Sequence, residues 1–352
     1  MWKSALTVAA AAWLCGTAYG DKMLTIDKVN LRFANREEAT AILGSDDVFL
    51  QNMGSLDRAL RLQTNRDVSR GEYVAFISRQ PLEWDDTDIT EFTEAFESIR
   101  RKCAGLRALF PDTIYLVKTT GLEEGYGVYS RGSNAIVFPS KEHVVEGVDL
   151  EFILTHELFH ILTKNNEAFK ERLYKIVGFS KTFNLALDSA LSACKATNPD
   201  AARNDYYFTS TVGVDTLALM PFILFGSPYD MDRKGLFFDY IALSFIAVEL
   251  KQDRCTPLYK DGKPRLLEPA QVPRYFELVG HNTEYIIHPE EVLADNFTLL
   301  IQGGPVMPNP DFAEDIATSD SKPATSGIDP LPNPEIIEQM RGILFGDVSY
   351  PE

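Results

Sequence analysis

Apolar positions recur along the chain with spacings that change from one region to the next. Between Asp88 and Leu109 they fall at Phe92, Phe96, Ile99, Cys103 and Leu106, steps of three and four that place them on one face of a helix, with charges over much of the other. Asp88, with Glu91 three residues on, is placed to cap its start. Thr113–Lys118 and Asn134–Phe138 are short runs of β-branched and aromatic residues bounded by Pro and Gly, and they predict strands. From Asp149 onward longer apolar stretches predict helices at 149–164, 165–177, 181–193, 214–226, 235–251 and 289–302, with Asp149 capping the first. Beyond Gly303 and Gly304, Pro, Asp, Ser and Thr dominate to about Asn333, ahead of a short helix from Pro334 to Leu344. The pattern predicts an α+β fold that is predominantly helical. A mixed N-terminal part spans 21–147, a helical part 148–302 and a Pro-rich tail 303–352.

Composition narrows the class. Lys and Arg number 34 against 51 Asp and Glu, a formal charge of −17, which argues against nucleic acid as a partner. The first twenty residues carry Lys3, an apolar run from Ala5 to Cys15 and small residues ending at Gly20, the pattern of a cleavable secretory signal. The chain is therefore expected to be secreted or periplasmic. No later segment reads as a membrane span: Leu217–Phe225 is interrupted by Pro221, and Leu236–Leu250 contains Asp239 and Glu249. Cys103, Cys194 and Cys255 leave open one disulfide with a free thiol or three reduced thiols. The segment Asp21–Arg79 reads equally as a propeptide or as an integral subdomain.

The chemistry is concentrated in His156-Glu157-Leu158-Phe159-His160, which holds two of the five histidines. On a helix, residues four apart share a face about 6 Å from one another, so both imidazoles can address one zinc ion, one per chain. Glu157 then lies beside the open coordination position as a general base, where zinc acidifies a water. Ile153, Leu154, Leu158, Phe159, Ile161 and Leu162 make the surrounding helix apolar. Burying His, Glu and His in such a helix without a use for them would cost stability.

Two imidazoles require a third protein ligand. Asn166 stands six residues after His160 and Thr163 three after it, which excludes the metzincin arrangement, and no Gly-Thr-x-x-Asp run supplies an aspartate. A glutamate from a later helix remains. Glu291 and Asp295 are four apart on one face of 289–302 with the small Ala294 between them, and Pro289 suits the first turn of that helix. Glu291 is thus the expected ligand and Asp295 an acceptor for the N–H of His156 or His160. Glu290, Glu284 and Asp188 are reserves. Glu290 and Glu291 point about 100° apart, so only one of them can face the metal.

With these two motifs the chain resembles the gluzincins, the metallopeptidase clan that includes the thermolysin-like enzymes. The likeness covers His156–His160 and Glu291–Asp295. It implies a zincin-like fold, zinc as cofactor, peptides or proteins as substrates and a role for Asp295 in orienting His156. A weaker likeness at Asn134-Ala135 implies an edge strand that pairs with extended substrate. The 131 residues from His160 to Glu291 imply a large insertion. An oxyanion donor is sought near Glu291, at Tyr285 or His288, with His281, Tyr206 and Tyr207 as other candidates. The expected function is zinc-dependent peptide hydrolysis. Two rivals are a zincin-like module that binds peptide or protein without cleaving it, and a zinc hydrolase of a non-peptide amide.

Overall fold

The computed structural model describes residues 23–141, 149–303 and 331–346. The expected signal peptide and most of the Pro-rich tail lie outside the described residues.

The helices are α1 (Arg36–Leu43), α2 (Val48–Asn52), α3 (Ser55–Arg61), α4 (Arg70–Ile77), α5 (Asp86–Lys102), α6 (Leu150–Asn165), α7 (Glu167–Ile176), α8 (Ser189–Cys194), α9 (Pro273–Val279), α10 (Pro289–Gln302) and α11 (Pro334–Phe345). A two-residue antiparallel ladder joins β1 (Met23–Leu24) to β3 (Phe110–Pro111). The first sheet contains β2 (Asn30–Phe33), β4 (Thr113–Thr119), β5 (Tyr129–Arg131) and β6 (Ala135–Pro139) in the order β2-β4-β6-β5. Its first three strands are parallel, and only β5 runs against them. All five residues of β6 are buried, as expected for a parallel strand covered on both faces.

The long helix predicted from Asp88 is α5, starting two residues earlier. Asp85 rather than Asp88 caps it, by accepting from the Asp88 N–H at 2.9 Å. Asp88 is instead buried, in ion pairs with Lys118 and Lys141. The helix buries Phe92, Ala95, Phe96 and Ile99, and stops at Cys103 before Gly105, which takes a left-handed φ of 86°.

The region after Asp149 is α+β rather than predominantly helical. Helices appear as expected at α6, α7 and α10, and the terminal helix is α11. The segments predicted helical at 214–226 and 235–251 are instead strands β9 (Asp215–Phe225) and β10 (Ile241–Leu250). They form an antiparallel meander with β8 (Tyr206–Val212), extended at its edges by β7 (Ser180–Lys181) and β11 (Cys255–Pro257). Both faces of this sheet are covered. Leu219, Phe245 and Ala247 join the main core, while Met220, Phe222, Ile246 and Val248 face a second cluster with Leu185 and Leu191. A strand buried on both sides reads as a continuous apolar run and loses the alternation that would mark it. Gly213 carried the missed signal: at φ 64° it opens a two-residue hairpin closed by Val212 and Asp215. Pro221 is tolerated because it lies past Leu219, the last residue of β9 paired with β8. Of 181–193, only α8 is helical, capped by Asp188.

One hydrophobic core joins the sheet residues Ile114, Leu116, Ile136 and Phe138 to Leu154, Leu158, Phe159, Ile161 and Leu162 of α6, to Val292, Leu293, Ala294 and Phe297 of α10, and to Met340 and Leu344 of α11. Each large side chain buried there contributes about 1.5–3 kcal/mol relative to exposure. Residues 34–77 form their own cluster on the other face of the first sheet, against Val117, Tyr129 and Val137. Cys103, Cys194 and Cys255 are all free thiols. No helix among the described residues is long and apolar enough to cross a membrane.

Candidate metal centre

Two helices build the site. Asp149 caps α6 by accepting from the Glu151 N–H, which sets the helix phase so that His156, Glu157 and His160 face α10. At the start of α10, Pro289 occupies the first turn and the Nδ1 of His288 accepts the Glu290 N–H at 3.1 Å. Glu290 and Glu291 therefore sit at a helix N-terminus, where negative charge is favoured. The two helices close on each other through Phe159 and Phe297, whose rings lie 5.5 Å apart, and α10 is buried from Pro289 to Leu300.

Both histidines are oriented in the same way. The Nδ1–H of His156 donates to Asp295 at 2.8 Å and that of His160 to Glu290 at 3.2 Å. Each bond orients its ring with Nδ1 toward a carboxylate, so Nε2 is the nitrogen that would give a lone pair to an ion, with loss of its proton. The two Nε2 atoms converge on one oxygen of Glu291, at 3.2 Å from His156 and 3.4 Å from His160. Ligands placed tetrahedrally about 2.0–2.1 Å from zinc stand roughly 3.3 Å apart, so this spacing fits. His160 Nε2 and Glu157 Oε2 are buried without a hydrogen-bond partner. Buried polar atoms rarely stay unpaired, and two of the six such side-chain atoms among the described residues belong to this motif.

The orienting carboxylates are themselves held. Thr283 donates to Asp295, while Glu290 receives Thr163 and Tyr174 and pairs with Lys170 at 3.3 Å. Electrostatics follow from this crowding. Burial opposes charge on His156, but the Asp295 and Glu291 carboxylates outweigh it and push its pKa up to about 10. His160 is raised well above its ordinary value against the same burial, by Asp200, Glu291 and Glu290. Glu291 is held well below the carboxylate range despite burial, by His160 and His156. Burial, then Asp200, pushes Glu157 up to about 8. The cluster favours a positive charge at its centre.

The structure thus brings His156, Glu157, His160, Glu291 and Asp295 together. Tyr285 lies beside them, its ring stacked on His156 at 6.1 Å with 25° between planes. Burial and the surrounding carboxylates hold its phenol protonated well above the ordinary value. His288 is the cap of α10 and burial pushes its pKa down to about 4. Of the reserves, Glu284 is exposed and Asp188 caps α8. Glu290 was foreseen only as a substitute ligand, yet it performs for His160 what Asp295 does for His156.

The strand at Asn134-Ala135 corrects the expectation of a substrate edge. β6 is paired by β4 along its length and by β5 over Ala135–Val137, so Ala135 lies on no free edge. Gly132, at φ 58°, folds the preceding residues back as β5, and that strand forms the border of the sheet. The sequence reading also missed Asp200, in the segment between α8 and β8. One of its carboxylate oxygens lies with ligand atoms of His160 and Glu291 inside a group in which all are within 4.8 Å of one another. No spacing rule ties Asp200 to the motif. Comparison with protein-family models, with curated proteins and with solved structures finds no match for this chain.

Proposed function

We propose that this chain is an exported zinc-dependent metallopeptidase of gluzincin type, with a zincin-like core made of the first sheet, α6 and α10. The observation that carries this reading is the convergence of two Nε2 atoms from one helix on a single Glu291 oxygen of another at 3.2 and 3.4 Å, each imidazole anchored behind by its own carboxylate. A scaffold with no ligand to hold would leave little reason for this arrangement of buried polar groups.

His156, His160 and Glu291 would hold the ion, with Asp295 and Glu290 fixing the imidazoles. Zinc when bound would acidify a water and polarise the scissile carbonyl. Glu157 is buried one position round α6 from His156, with Oε2 unpaired. It would take the proton of the attacking water and deliver it to the departing amine nitrogen. The Tyr285 phenol would donate to the carbonyl oxygen as that atom gains negative charge. A peptide or protein is the fitting substrate, because this chemistry acts on an amide carbonyl.

The test is Glu157→Gln assayed on a denatured-protein or peptide library. Hydrolysis is expected to fall by about 10²–10⁴-fold while zinc stays near one per chain. Persistence of turnover at the wild-type rate would overturn the reading.

A further inference from the structure

Asp200 belongs to the segment between α8 and β8, and its carboxylate reaches both the border strand of the first sheet and the ligand atoms of the centre. Its Oδ1 accepts the backbone N–H of Ser130 at 2.8 Å and also the Ser130 hydroxyl. Ser130 is the middle residue of β5, the border strand of the first sheet. The Ser130 carbonyl receives Lys164 at 3.3 Å, and Lys164 also reaches the Pro199 carbonyl at 3.1 Å and the Ser130 hydroxyl at 2.6 Å. The N–H and C=O that an extended peptide would pair with at this strand are thus both taken. Two residues earlier, the Asn198 amide donates at 2.6 Å to Glu291 Oε1, the oxygen that does not face the histidines. Asp200 is itself buried, 8% exposed, and its carboxylate stands among the ligand atoms of His160 and Glu291.

The segment is built in. Thr197 donates its N–H to Asp57 at 3.0 Å, and its carbonyl receives Arg61 at 3.0 Å. Arg61 is buried and held by both oxygens of Glu124 at 2.8 and 2.9 Å. On the far side Asn52 donates to the Ala202 carbonyl at 3.1 Å. The buried Asp57-Arg61-Glu124 network, otherwise remote from the chemistry, anchors the segment that carries Asp200.

We infer that residues 197–202 form an internal plug that restrains the enzyme without silencing it: Asp200 serves as a further carboxylate ligand in the position the attacking water needs, and its bond to Ser130 narrows access of substrate to the strand. This rests on the metallopeptidase reading. A carboxylate competes for a cation more strongly than a neutral amide or a water, so removing it should open both the metal and the strand.

The experiment loads the full chain with Co²⁺ in place of zinc and records its visible absorption as acetohydroxamate is added, for wild type, Asp200→Ala and Asp200→Asn. Wild type should bind one ion and show a spectrum that acetohydroxamate barely moves. Asp200→Ala should show an altered spectrum, bind the hydroxamate at least tenfold more tightly and, with zinc, cleave a peptide library at least tenfold faster. Asp200→Asn keeps an oxygen for Ser130 but no charge, should fall between them, and carries the test if the alanine variant fails to fold. Full metal with identical spectra and hydroxamate affinity in wild type and variants would overturn the plug. If wild type and variants also cleave equally well, the plug fails while the metallopeptidase reading stands. If no form binds metal, both fail.

Discussion

The two histidines of α6 are four residues apart and make matching bonds, yet their settings differ. His160 is fully buried, and its carboxylate, Glu290, is tied to Thr163, Tyr174 and Lys170 within the helical core. His156 keeps 16% of its side chain accessible, lies against Tyr285, and leans on Asp295, which Thr283 steadies from a loop. The comparison assigns different work to the two halves of the centre. The His160 half is part of the fold and sets the geometry in advance. The His156 half faces the side where a substrate would react.

Substitutions can break this contrast. The largest effect is expected for Glu290→Ala, which strands Lys170 and His160 in the core: a stability loss of about 3–5 kcal/mol, read by chemical denaturation, together with lost metal binding. Asp295→Ala should cost much less stability but about 10–100-fold in metal affinity or turnover, measured by metal titration and peptide hydrolysis. Equal stability losses in the two variants would erase the distinction. Tyr285→Phe should leave folding and zinc content unchanged and lower kcat by about 10²–10³-fold, as for other donors to a developing oxyanion. The smallest effect is expected for Tyr174→Phe, about 1–3 kcal/mol of stability from one missing bond to a buried carboxylate, with a modest drop in metal affinity. A change in kcat there larger than that of Tyr285→Phe would reverse the roles proposed for the two sides.

Much of the centre was legible in the sequence because it rests on helical periodicity. His156 and His160, and Glu291 and Asp295, each repeat at one turn, and that spacing is enough to align them on facing helices. Glu290 is visible as a reserve ligand only: its direction about 100° from Glu291 says that both cannot face the metal, but not that it meets the Nδ1 of the second imidazole. Asp200 was hidden for another reason. It reaches the centre through a tertiary path that begins at Asp57 and Arg61, and no local pattern encodes a contact made between segments so far apart. The antiparallel sheet between α7 and α9 was hidden for a third reason. Leu217–Phe225 is apolar on both faces because both are covered, so its period was lost, and only the turn at Gly213 marked it as a hairpin. Likewise β5 carries no strand signal in the sequence because it is three residues long, although its Ser130 is where the strand meets the plug.

The central claim is that Glu291 completes a metal centre with His156 and His160, and elemental analysis of the purified chain beside its Glu291→Ala variant tests it most directly. Wild type should carry close to one zinc per chain, and the variant, folded by circular dichroism, should retain less than about a tenth of that after dialysis. Full zinc in the variant, or none in the wild type, would contradict it.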